Sequence, residues 1–227
     1  MFGLDDKIAT FSDGTTLLVV AGVAILLGLR HASDPDHLAA VTTLIASGKE
    51  RAARGAARLG FAWGLGHATS LFVFGLPVVL YSAYLPGPLQ SAAETSVGFV
   101  IVLLAALLLI RWRRGVYHSA GHSHRRTRNG WQAYGIGLVH GMGGTAGVGL
   151  LLLATIRSHA LAVVALALFA FCTAVSMALL STGWGVALET RTLQRSFHRV
   201  APALGVASLG FGVWYALGAQ GLVPYAF

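Results

Sequence analysis

Apolar residues fall in long blocks along this chain, and the polar residues gather in the short stretches between them. Six blocks approach the roughly 20 mostly apolar residues that a bilayer crossing needs. They run from Thr15 to His37, Leu59 to Leu85, Thr95 to Trp112, Trp131 to Ile156, Ala160 to Gly185 and Val200 to Leu222. The pattern predicts an all-α membrane protein of about six transmembrane helices. The first block counts as a span only because a polar motif is folded into its end, since its apolar run alone, Leu17 to Leu29, is too short.

Composition agrees. Of 227 residues, 56% are hydrophobic and 11% charged, far below the roughly 25% charged residues of a soluble domain. Mean hydropathy is +0.71. The net charge of +8 and the pI near 10.4 are those of many nucleic-acid binders, but here the basic residues form short clusters between apolar blocks, which is the pattern of membrane topology. The N-terminal stretch has Asp5, Asp6 and a lone Lys7 and no small-residue cleavage site, so the first block is expected to stay as a spanning helix. The single cysteine, Cys172, sits in an apolar run and excludes an intramolecular disulfide. Aromatic residues near the predicted ends, Tyr81, Tyr84, Trp112, Trp131, Trp184 and Trp214, suit either interfacial belts or helix packing.

Lys and Arg set the orientation. Lys49, Arg51, Arg54 and Arg58 lie between the first two spans. Arg111, Arg113, Arg114, Arg125, Arg126 and Arg128 lie between the third and fourth, and Arg191, Arg195 and Arg199 between the fifth and sixth. Thirteen of the sixteen basic residues thus fall in alternate loops. Three basic loops are expected in the cytoplasm and both termini outside, in a multi-pass plasma-membrane protein.

The two halves echo each other. Gly28-Leu29-Arg30-His31 recurs as Gly137-Leu138-Val139-His140, each followed by a broken or small-residue segment. Three spans in each half would force the second half to be inverted, a recurring secondary-transporter plan. The expected division is a first three-helix repeat over residues 1–112, a basic His-containing cytoplasmic loop over 113–130 and a second three-helix repeat over 131–227.

The chemistry concentrates in Gly28-Leu29-Arg30-His31-Ala32-Ser33-Asp34-Pro35-Asp36-His37-Leu38. A charged side chain at membrane depth costs roughly 2.5–3.5 kcal/mol or more, so intramembrane ionisable groups mark functional sites. Two carboxylates and two neutral imidazoles carry the charge that a divalent cation neutralises, and this donor set suits Ni, Co, Zn or Fe over Ca or Mg. On an unbroken helix His31 and Asp36 would point about 140° apart. Pro35 interrupts the ladder, having no N–H and pushing Asp34 out of α geometry. A first helix broken at Pro35 is therefore expected to gather His31, Asp34, Asp36 and His37.

Elsewhere, His67 lies deep in the second block among Gly64, Gly66, Thr69 and Ser70, where small residues permit close helix approach. His140 and Met142 lie in a Gly-rich stretch of the fourth. They read either as facing the site from the symmetry-related side or as a packing seam with a hydrogen-bonded histidine. Arg30 is placed to pair with Asp34 or to snorkel to the surface. His118, His122 and His124 read either as a transient hold for a metal or, since the arginines around them oppose cation binding, as part of a solvated topogenic loop.

His31, four residues and then Asp36-His37 resembles the HX4DH signature of the nickel/cobalt transporter family. Leu65-Gly66-His67-Ala68-Thr69 is similar to that family's second motif, Leu-Gly-His-Ser-Thr. The resemblance covers about the first seventy residues. It implies transport of Ni²⁺ or Co²⁺ across the cytoplasmic membrane, with His31, Asp36, His37 and His67 as selectivity and binding residues. The chain departs from the eight-helix members in its six blocks. It also lacks their Leu-Gly-Phe-Asp-Thr-Ala-Thr-Glu motif, and Gly137-Leu138-Val139-His140-Gly141 looks more like the related nickel-exporter and urease-accessory membrane proteins.

The expectation is a permease for Ni²⁺ or Co²⁺, uptake favoured over efflux, with the ion as substrate and no permanently bound cofactor. His31, Asp34, Asp36, His37, His67 and His140 are the expected metal residues, supported by Arg30, Thr69 and Met142. The partners are a divalent metal ion and the lipid bilayer, not nucleic acid. The alternative, in another class, is a membrane-embedded metalloenzyme using the same His/Asp cluster to activate water or oxygen.

Overall fold

A computed structural model describes residues 4–46, 53–81, 86–115, 129–142, 153–154, 156 and 158–224. All the regular structure among them is helical: α1 (Leu4–His31), α2 (Pro35–Ala46), α3 (Ala53–Tyr81), α4 (Gly87–Arg113), α5 (Gly130–Gly141), α6 (His159–Glu189) and α7 (Arg191–Ala219).

Four of these helices contain stretches long and apolar enough to cross a membrane: Arg54–Tyr81, Gly87–Arg113, His159–Leu188 and Ser196–Ala219. A fifth span is formed if the bent pair Leu17–His31 and Pro35–Ile45, at 50° to each other, counts as one crossing. The surface carries the same message. Leu18, Phe99, Phe171 and Leu179 are each at least 64% exposed, while His37, His67 and His140 have no exposed surface. A chain that turns large apolar side chains outward and histidines inward is built for a solvent as apolar as its own core.

Two expected spans differ from what is found. The first was expected to end at His37. Instead α1 stops at His31, three residues turn, and Pro35 opens a separate helix that continues to Ala46. Pro35 thus stands at the first helical position, where its missing N–H costs nothing and its fixed φ suits the helix. The fourth block, Trp131 to Ile156, is a continuous helix only as far as Gly141, with Met142 as its C-cap. At 12 residues, about 18 Å long, α5 does not cross a bilayer alone. Residues 143–152 lie outside the described residues, as does most of the His-containing loop, including His118, His122 and His124.

Helix α2 lies among four others, touching α3, α4, α6 and α7. Its inner face buries Ala40, Val41, Leu44 and Ile45 in one apolar cluster with Trp63, Ile101, Leu104, Phe197 and Tyr215. A second cluster joins α1, α3 and α6 through Ala24, Leu71, Leu166 and Phe169. Tyr81 and Trp131 are exposed at helix ends, whereas Trp112, Trp184 and Trp214 pack against the first cluster.

Glycine makes the closest approaches. A Cβ on Gly137 or Gly66 would collide with backbone of the facing helix, at the Trp63 and Tyr134 carbonyls respectively, and one on Gly28 would strike the Phe169 carbonyl of α6. These contacts recur in pairs. Gly28 of α1 lies on Phe169 and Thr173 of α6, as Gly137 of α5 lies on Trp63 and His67 of α3. One residue on, Ser176 of α6 donates to the Leu29 carbonyl at 2.9 Å, and Ser70 of α3 donates to the Leu138 carbonyl at 2.6 Å.

Candidate metal site

The site forms where the bent span meets α3 and α5. The break between α1 and α2 is closed by short-range bonds, among them Ser33 N–H to the Arg30 carbonyl (2.9 Å) and Asp34 N–H to the His31 carbonyl (3.1 Å). This turn leaves His31 at the end of one helix and puts Asp36 and His37 in the first turn of the next. All three are buried. The carbonyl end of α1 favours a nearby cation, and the N–H end of α2 favours the Asp36 carboxylate.

His67 comes from the middle of α3. Leu59, Trp63, His67, Ser70 and Leu71 share its buried face, at the three- and four-residue spacings that align side chains on one stripe. His140 comes from the last turn of α5, whose buried face is Ala133, Gly137, His140 and Gly141. Because Gly137 and Gly141 let this helix lie directly on the α3 backbone, His140 arrives beside His67, their ring centroids 6.0 Å apart.

Four imidazoles and one carboxylate therefore converge. His31 Nε2 lies 3.2 Å from His67 Nε2, and His140 Nε2 lies 3.3 Å from Asp36 Oδ2. The His37 ring stands between, its centroid 4.6 Å from that of His31, 4.8 Å from that of His67 and 4.6 Å from that of His140. Two trios have ligand atoms within 4.8 Å of one another: His31, His37 and His67, and Asp36, His37 and His140. Aromatic rings wall the cluster, Phe169 against His31 at 5.6 Å and Trp63 against His140 at 5.7 Å.

The carboxylates fix which nitrogens face inward. His31 Nδ1 donates to Asp34 Oδ2 at 3.0 Å, so its Nε2 presents a lone pair toward His67. His37 Nδ1 donates to Asp36 Oδ1 at 3.2 Å, which leaves Nε2 without a hydrogen-bond partner among the described residues. His67 Nδ1 and His140 Nδ1 lack one among them as well, and Asp36 Oδ2 and His140 Nε2 face each other at 3.3 Å. An unsatisfied buried polar group costs about 1–3 kcal/mol, and several converging acceptors repel one another. A cation satisfies them together. Ligand–ligand edges of 3.2–3.3 Å fit a metal bound at about 2.0–2.1 Å in tetrahedral-like geometry.

The sequence expectations separate accordingly. His31, Asp36, His37, His67 and His140 are brought together. Asp34 is not a member of either trio. It is held instead between His31 and the Arg30 guanidinium, 3.6 Å away on the exposed side, and so orients His31 as carboxylates orient metal-ligating histidines. Arg30 pairs with Asp34, one of the two roles expected of it, while its side chain stays exposed. Thr69 is turned away: it is exposed, donates to the Leu65 carbonyl at 2.8 Å and accepts from Tyr134 Oη at 3.3 Å. Its neighbour Ser70 faces inward instead, a distinction available from the sequence because Ser70 is three residues after His67 and Thr69 only two. Met142 is half-buried at the end of α5 and contributes its backbone N–H to the Val139 carbonyl. Trp63 and Phe169, not anticipated, complete the walls.

Comparison with known proteins agrees with this chemistry. Residues 17–124 match the family model of the high-affinity nickel-transport protein, NicO. The urease accessory protein UreH of Bacillus sp. (strain TB-90) is 25% identical over 213 residues, covering 89% of this chain and 92% of the relative. No solved structure matches the chain. The family points to a transporter of nickel rather than an enzyme. The matched segment contains the HX4DH motif, the break and His67, and the similarity to UreH extends over most of the chain.

Proposed function

We propose that this chain is a secondary transporter that carries Ni²⁺, and Co²⁺ by the same ligands, into the cell across the plasma membrane. His31, Asp36, His37, His67 and His140 bind the ion, while Asp34, backed by Arg30, holds His31 in register. The carrying observation is the buried cluster of four imidazoles and a carboxylate at the break of a bent span. The family match supports nickel as cargo, and imidazole with carboxylate suits Co²⁺ as well.

The architecture of the proposal is two inverted three-helix repeats, residues 1–112 and 131–227, joined by a cytoplasmic loop at 113–130. What supports it is the register of the paired contacts. Exchanging α1 with α5 and α3 with α6 carries Gly28 onto Gly137, Leu29 onto Leu138 and His31 onto His140. The same exchange carries Trp63 onto Phe169, His67 onto Thr173 and Ser70 onto Ser176. The close glycine approach, the serine-to-carbonyl bond and the histidine–aromatic ring contact of one set each have a counterpart in the other. In such repeats the ion site lies at the interface of the halves, beside discontinuous helices. The alternation of basic loops supports cytoplasmic loops after the first, third and fifth crossings and both termini outside.

The test is flux into liposomes holding purified protein and a trapped metal-sensitive dye. Saturable entry of Ni²⁺ and Co²⁺, lost in His37→Ala, is expected. Absence of flux, with metal retained on the purified protein, would overturn the transporter reading in favour of a metalloenzyme.

A further inference from the structure

His37 stands at equal ring separations, 4.6 Å, from His31 on one side and His140 on the other. These two are the residues that the paired contacts make equivalent. The donor sets on the two sides differ. With His31 and His67, His37 completes an all-imidazole trio; with Asp36 and His140 it completes a trio containing a carboxylate. Each side already has its own ligand pair at bonding spread, His31 and His67 at 3.2 Å and Asp36 and His140 at 3.3 Å. His37 belongs to both.

We propose that the ion occupies two adjacent positions in turn, one formed by His31, His37 and His67 and the other by Asp36, His37 and His140. This inference rests on reading the cluster as a transport site. His37 stays a ligand throughout while the other ligands exchange, so the cargo crosses the centre of the protein without ever shedding all its donors. A neutral imidazole trio leaves the dication's charge uncompensated, whereas Asp36 offsets half of it, which makes the second position the tighter one. The two positions lie too close for two dications in a low-dielectric interior, so they are occupied one at a time.

The test is calorimetric Ni²⁺ titration of the purified full-length protein in detergent, with X-ray absorption of the nickel-loaded samples and flux in liposomes. The intact protein is expected to bind one Ni²⁺. His67→Gln is expected to keep one Ni²⁺ with carboxylate among its ligands, and His140→Gln to keep one with imidazoles dominant. Both are expected to lose transport, and His37→Gln to lose saturable binding. Two Ni²⁺ bound at once to the intact protein would overturn the proposal without needing any variant to fold. So would loss of all binding in both His67→Gln and His140→Gln while each elutes as the intact protein does. If the intact protein binds one Ni²⁺ but passes none, the transport reading fails, and with it the hand-off. Flux by the intact protein together with two bound ions overturns the hand-off alone.

Discussion

His31 and His67, thirty-six positions apart in the chain, bring their Nε2 atoms to 3.2 Å of each other inside the protein. Two imidazole lone pairs do not settle at that distance unaided; a shared proton or a shared cation accounts for it. His31 contributes a lone pair there because Asp34 takes the proton on its other nitrogen. Asp34→Asn should therefore weaken Ni²⁺ binding by roughly 10- to 100-fold, the usual effect of losing a partner that orients a ligand. Asp36→Asn should cost more, since in the proposed site Asp36 supplies a ligand atom as well. Calorimetry on the two purified variants checks the order; equal losses would make Asp34 a ligand too.

The α3–α5 crossing depends on missing side chains. Gly137→Ala and Gly66→Ala place a methyl group on the carbonyls of Trp63 and Tyr134. Backbone cannot retreat as a side-chain tip does, so each should destabilise the protein at or above the upper end of the about 1–3 kcal/mol typical of overpacking. Gly183→Ala, which meets nothing within 4 Å, should leave stability unchanged or slightly raised. Thermal unfolding in detergent separates the two classes.

Adjacent hydroxyls on α3 should behave differently. Ser70→Ala removes the bond to the Leu138 carbonyl and should cost about 1 kcal/mol. Thr69→Ala, at an exposed position, should stay within about 0.5 kcal/mol. Ser176→Ala should match Ser70→Ala, because it breaks the corresponding bond to Leu29. A Thr69 variant that loses nickel binding would contradict the placement of that side chain.

Topology can be read with single cysteines introduced into a Cys172→Ala background. Positions Ser47, Ser119 and Thr190 should react with an impermeant reagent from one face of the membrane, and Gly87, Ser158 and Leu222 from the other. Mixed labelling within either set would break the inverted-repeat arrangement.

Much of the fold was legible in the sequence because a bilayer imposes a length rule, and α3, α4, α6 and α7 obey it. Helix α2 is not, although Leu38 to Ala46 is mostly apolar: a crossing that ends at His37 leaves no rule to give that run a place. The end of α5 at Gly141 was hidden for a related reason, since apolar content measures fitness for lipid and not continuity of a helix. That His31, Asp36, His37, His67 and His140 would lie together was legible from residue type, since a histidine in an apolar helix needs a partner. What spacing could not supply was the division of labour between Asp34 and Asp36. Both are carboxylates within five residues of His31, and only the turn before Pro35 decides which one faces the centre.

The break between α1 and α2 also has a mechanical consequence. Upstream of it, α1 is fastened to α6 through Gly28 and the Ser176 bond; downstream, α2 is wedged against α4 and α7 as well as α6. His31 therefore closes one helix and His37 opens the next, and only a three-residue turn connects the two helices. Any sliding of α1 against α2 would change the distance between two nitrogens that would share a metal, so the grip on a bound ion and the relative position of these helices would become one variable. A tighter grip would resist such movement, and such movement would loosen the grip.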